Sequence, residues 1–240
     1  MQTPCAVAAR AVSGSDSALA EAVGAAGYML AAQAGSVPEA LHLVRELRPE
    51  LLLADLALPG GDGVELIRQV QAMPLNVYPD ALLMAPEGLM PPDPSEIAAL
   101  GAGMLRSPVT SRDILSGLAA LDRDRLPPRR AERLQALLDR LGLPDHPGRE
   151  MLARAAALAW RDRRRLSNLR DRIYPDAGRP FGRSGAQAER AIRHAIDVAW
   201  RTGEMEQQHQ IFGNTIDARR GRPTGGEMIA QLADILRWEG

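Results

Sequence analysis

Lysine is missing. All 29 basic residues of this 240-residue chain are arginine, set against 30 Asp and Glu for a formal net charge of −1. No function attaches to that absence. A single cysteine, Cys5, excludes an internal disulfide and any cysteine-based zinc site. Aromatic residues make up 3% of the chain, so its cores must be built from Leu, Ala, Val, Ile and Met. No stretch approaches the roughly 18 apolar residues that a membrane helix needs. No basic segment followed by an apolar run opens the chain, so a cytoplasmic protein without membrane contact is expected. No nucleophile–base pair, phosphate-cradling glycine loop or metal-ligand cluster stands out, so neither an enzyme nor a metal site is expected.

What is present is a folded profile, 45% hydrophobic and 25% charged, of a length for one large domain or two ordinary ones. The charge is split along the chain. Residues 1–122 hold 6 Arg and 14 acids, a net −8, whereas residues 123–240 hold 23 Arg and 16 acids, a net +7. A regulatory domain joined to a nucleic-acid-binding domain has this asymmetry; a chance division of solvated surface charge has it too.

The first half alternates short apolar runs with amphipathic stretches. Strands are predicted at residues 5–12, 28–34, 51–56, 81–85 and 103–105, with helices at 15–24, 37–47, 64–71, 96–100 and 111–121. This alternation predicts a doubly wound α/β unit over residues 1–122, with a five-stranded parallel sheet of flavodoxin-like type. Its functional loops belong at the carboxyl ends of the strands, where Asp55 lies. RDRLPPRR, with its proline pair, reads as a linker over residues 123–131. Residues 132–240 then read as all-helical, with helices at 131–141, 149–160, 166–173, 185–201, 205–212 and 226–237.

The segment PELLLADLALPGGDGVELI, residues 49–67, resembles the third strand and following loop of response-regulator receiver domains. Asp55 stands at their phospho-acceptor position, and Pro59, Asp62 and Gly63 match the P-x-x-D-G loop. Phosphotransfer there also needs carboxylates for a magnesium ion at the end of the first strand. This chain offers Ala8, Ala9 and Arg10 there, with no acid before Asp16. Met84 and Ala85 stand near the place of the fourth-strand hydroxyl, and Arg106-Ser107-Pro108 stands where a lysine precedes proline. The expectation is therefore a degenerate receiver, with Asp55 inert, the magnesium site lost, no cofactor, and Arg10 available to pair with Asp55 directly.

In the second half, Ser184 and Gln187 form an S-x-x-Q capping box that starts a helix near Gly185. Ala188, Ile192, Ala195, Ile196 and Ala199 recur on its buried face. Gln187, Arg190, Arg193, His194, Asp197 and Arg201 lie on the exposed one. Arg side chains on the first turns of such a helix can grip guanine edges, and others grip phosphates. The same residues also suit a solvated amphipathic helix, with Glu189–Arg193 and Arg193–Asp197 pairs. A short helix at 166–174 and a long turn at 175–184 complete a helix-turn-helix-like unit.

LGLP at 141–144, GREMLARAA at 148–156, YPD at 174–176, ERAIRHAIDVAW at 189–200 and IFGNTIDARRGRPTGGEMIAQLADILR at 211–237 closely resemble the effector domain of the stage zero sporulation protein A family. The resemblance implies a sequence-specific transcription regulator that reads TGTCGAA-type boxes, works as a homodimer on DNA and touches the RNA polymerase sigma subunit. It places Glu189, Arg190, Arg193 and His194 against DNA, with Ala186 and Gln187 where the family carries Ser-Arg. Gln187 is kept with the DNA-facing set, and Arg219, Arg220 and Arg222 are implied phosphate contacts. The loop and helix at 203–216 are the implied sigma contact, with Glu204, Gln207 and His209 as its polar candidates. The alternative expectation is a signalling interaction protein whose receiver-like half captures a partner and whose helical half no longer reads DNA specifically.

Overall fold

The computed structural model describes residues 3–11, 16–86, 88–89, 91–121, 126–213 and 220–238. The chain divides into two compact units, Met1–Arg123 and Asp124–Gly240.

The N-terminal unit is a five-stranded parallel sheet in the order β2-β1-β3-β6-β7. Its strands are β1 (Cys5–Ala9), β2 (Met29–Ala34), β3 (Leu51–Asp55), β6 (Asp80–Ala85) and β7 (Gly103–Arg106). A two-residue antiparallel hairpin, β4 (Ala57–Leu58) with β5 (Gly61–Asp62), occupies the turn after β3. The strands are apolar runs rather than alternating patterns because both faces are covered. Leu52, Ala54, Leu83 and Ala85 belong to one core, under α2 (Val37–Leu47), α3 (Gly63–Ala72) and α4 (Pro94–Ala99). Their neighbours Leu51, Leu53, Leu82 and Met84 belong to the other, under α1 (Asp16–Ala25) and α5 (Ser111–Ala120). The strand order reverses between β1 and β3, so a crevice opens at their carboxyl ends, where Asp55 lies.

The C-terminal unit is helical: α6 (Pro128–Arg140), α7 (Pro147–Arg161), α8 (Leu169–Arg172), α9 (Tyr174–Gly178), α10 (Gly185–Thr202), α11 (Met205–Phe212) and α12 (Gly225–Trp238). Helix α7 is its centre. Met151, Leu152 and the run from Ala155 to Trp160 are buried, and α10 and α12 pack on it. Small residues set the spacing: Gly148 lies so close to α10 that a Cβ there would stand 2.2 Å from the Ala191 carbonyl oxygen. Arg237, 2% exposed, donates to the Ala159 oxygen at 3.3 Å and to that of Trp160, satisfying the carbonyl end of α7. Arg130 lies over the Trp160 ring at 5.1 Å and donates to the Leu236 oxygen at 2.9 Å.

Two expectations are corrected. Residues 128–131, assigned to the linker, form the first turn of α6, because proline needs no amide donor there. The long turn at 175–184 is instead α9 and a 3-10 turn at Arg179–Phe181, again with Pro175 and Pro180 in first-turn positions. The connection into α10 is thereby short.

Candidate nucleic-acid interface

Helix α10 begins at the capping box read from the sequence. The Gln187 amide donates to Ser184 Oγ at 3.3 Å, and the Ser184 amide donates to Gln187 Oε1 at 2.8 Å. Ala188, Ile192, Ala195, Ile196 and Ala199 are wholly buried. Their burial fixes the rotation of the helix, because successive side chains on one face recur at i, i+3 and i+4. Gln187, Arg190, Arg193, His194 and Arg201 are therefore exposed, and Glu189 and Asp197 are half-exposed. The Gln187 oxygen is engaged in the cap, which leaves its amide nitrogen as its outward-facing donor.

The arginines differ in their partners. Arg193 pairs with Glu189 at 2.6 Å, one of the two intrahelical pairs expected. The other does not form, because Asp197 is taken at 2.8 Å by Arg222. Arg220 pairs with Glu227 at 3.0 Å. Arg190 makes no ion pair among the described residues; its Nε donates back to the Ala186 oxygen at 3.3 Å. Arg219 lies outside the described residues.

Shallow basic depressions flank this face. His194, Asp197, Trp200, Arg201, Arg220, Gly221 and Arg222 line one of about 410 Å³. Another, of about 310 Å³, brings Arg190 and Gln187 beside Arg183 and His146. The His146 and His194 rings meet edge to face at 5.7 Å, and His146 Nδ1 accepts from the Gly148 amide at 3.1 Å. Tyr174 lines a third depression with Glu189 and Arg193. Burial pushes its hydroxyl pKa up, Glu189 adds to that, and Arg193 opposes it. Sequence reasoning missed Arg183, His146 and the Asp197–Arg222 tether; no local pattern marks contacts made between distant helices.

The sigma-contact candidates lie on or beside α11. Glu204 and His209 are exposed and Gln207 is half-buried, with Gln207 Nε2 donating to Glu204 Oε2 at 2.6 Å. Beside them Met205 is 72% exposed. Gln208 is buried and donates to the Ala199 oxygen at 2.8 Å, and Trp200 meets Phe212 edge to face, so α11 is held to the end of α10.

In the N-terminal unit, Asp55 Oδ2 accepts from the Ala11 amide at 3.1 Å and faces Arg10 Nε at 4.0 Å. Burial raises its pKa, against the Ala11 hydrogen bond and the Arg10 charge. In the sheet register Met84 lies opposite it, and Arg106 is exposed at the end of β7. Among the described residues no three His, Cys, Asp or Glu converge to hold a metal. A carboxylate served by a guanidinium and an amide does not fit a divalent cation, which needs several oxygen ligands.

Residues 134–236 match the family model described as "Sporulation initiation factor Spo0A C terminal". The matched stretch lies within the C-terminal unit and includes the whole of α10 and α11. The N-terminal unit has the flavodoxin-like parallel strand order. It is similar to a CheY-like receiver domain from Methylobacillus flagellatus, at 19% identity over 50% of this chain and 98% of that one, with a TM-score of 0.44. It is also similar to a putative response regulator from Chloroflexus aurantiacus J-10-fl, at 24% identity over 49% and 95%, with a TM-score of 0.41. Among the described residues no helix is long and apolar enough to cross a membrane.

Proposed function

We propose that this chain is a transcription regulator of the sporulation response-regulator type, whose Spo0A-type unit reads duplex DNA through the outer face of α10. The observation that carries the reading is Arg190: exposed, early in a capped helix, and without a carboxylate partner among the described residues. Such a guanidinium suits the O6 and N7 acceptors of guanine, with Gln187, Glu189, Arg193 and His194 around it and Arg220 and Arg222 at phosphates. The chain binds as a homodimer on half-sites about one helical turn apart, and α11 meets the RNA polymerase sigma subunit through Glu204, Gln207 and His209.

The receiver unit operates without aspartyl phosphorylation or magnesium; the Arg10 charge beside Asp55 supports this. The rival reading, an interaction protein that no longer reads DNA, draws on the carboxylates already holding Arg193, Arg220 and Arg222.

Salt titrations of binding to a duplex selected from a random pool, and to its scramble, separate the two. Preference for the selected duplex near physiological salt supports the regulator. Arg190→Ala should then cost about 1–3 kcal/mol at one base pair and relax preference there. A variant that discriminates as well as the parent would refute the assignment.

A further inference from the structure

Along the outer face of α10, Arg190, His194, Asp197 and Arg201 follow at i, i+4, i+7 and i+11, so one carboxylate stands in a row otherwise made of arginine and histidine. A carboxylate on a DNA-facing stripe repels phosphate, which makes its presence informative. Asp197 does not serve its own helix. It holds Arg222 Nη1 at 2.8 Å, on the segment between Arg220 and the start of α12. That segment is anchored separately: the Thr224 amide donates to Glu227 Oε2 at 2.7 Å, and the Glu227 amide donates to Thr224 Oγ1 at 3.2 Å. The Asp197–Arg222 pair is thus not needed to build the turn. Arg222 is 39% exposed, so a phosphate can reach it, whereas the Asp197 oxygen that meets it is buried.

We propose that Asp197 restrains the affinity of the domain for DNA: by holding Arg222, it weakens the grip on any duplex, whatever its sequence. This rests on the DNA-binding reading above. On any duplex, Arg222 meets phosphate only by leaving Asp197, so every complex, on the correct site or off it, forgoes the pair, and the ratio of the two affinities is unchanged. Positioning would be the opposite role, in which Asp197 aims Arg222 and its removal weakens binding. The two roles predict opposite signs for removal of the Asp197 charge, and the variant below separates them.

The test uses the full chain with the selected duplex and its scramble. Asp197→Asn should tighten binding to the scramble about three- to tenfold. The selected duplex should gain by the same factor, so discrimination is unchanged. In an Arg222→Ala background the same substitution should change scramble binding less than about twofold, since no guanidinium is left to release. A gain confined to one duplex, no gain, weaker binding, or a gain that persists without Arg222 would overturn the proposal. A parent chain that binds both duplexes alike overturns instead the DNA-reading assignment on which it rests. Far-ultraviolet circular dichroism of each variant separates loss of folding from loss of binding, and a folded variant gives one of these outcomes.

Discussion

Replacing Gly148 by alanine tests how closely α7 and α10 approach. Two effects of opposite sign compete. Alanine is the better helix former by up to about 1 kcal/mol, which alone would stabilise α7. Its Cβ, however, would lie 2.2 Å from the Ala191 oxygen, 2.8 Å from the Ala191 carbonyl carbon and 3.1 Å from the Ala195 Cβ. Carbon–oxygen contacts begin near 3.3 Å, so the helices must part by roughly 1 Å. The obstructing atoms are backbone, which no rotamer change relieves. Overpacking of this kind costs about 1–3 kcal/mol, and separation also loosens the burial of Ile192 and Ala195. The net expectation is destabilisation by about 1–2 kcal/mol, a fall in melting temperature of roughly 5–15 °C. All three tryptophans, Trp160, Trp200 and Trp238, lie in the C-terminal unit, so their fluorescence follows its unfolding alone. Gly24 in α1, where nothing lies within 4 Å of an added Cβ, is the control: Gly24→Ala should raise the calorimetric transition of the N-terminal unit slightly. A Gly148→Ala chain as stable as the parent, or more so, would refute the close approach of α7 and α10.

Arg237→Met should lower the tryptophan-monitored stability by about 2–4 kcal/mol, because it leaves the carbonyl end of α7 without its buried donor; a loss below about 0.5 kcal/mol would contradict that role. Asp55→Asn should stabilise the N-terminal unit at neutral pH. The fold raises the Asp55 pKa, so the ionised carboxylate weakens the native state above the unfolded-state value, and the advantage of the amide should shrink as Asp55 protonates in acid. Calorimetry across pH checks the sign, and incubation with a small phosphodonor and magnesium should leave no acid-labile phosphate on Asp55.

The sheet was legible because its inner strands β1, β3 and β6 are buried on both faces and so read as nearly unbroken apolar runs; Leu51, Leu52 and Leu53 are all wholly buried. The 57–62 hairpin was not, since two-residue strands leave no periodicity. The starts of α6 and α9 were hidden by proline, which reads as a breaker but suits a first turn. At the interface, the cap and the five buried positions of α10 follow from spacing within a single helix. The partners of the arginines do not: Asp197 and Arg222 are brought together by the fold, as are Arg237 and Trp160 across 77 positions. Sequence alone therefore named the cations and left open which of them an acid holds.

The alanine-lined underside of α10 has an evolutionary corollary. Its inner residues are wholly buried against neighbouring helices, whereas Gln187, Arg190 and His194 are exposed. The two sides can therefore vary independently: outward residues can be exchanged over generations while the mount beneath stays the same.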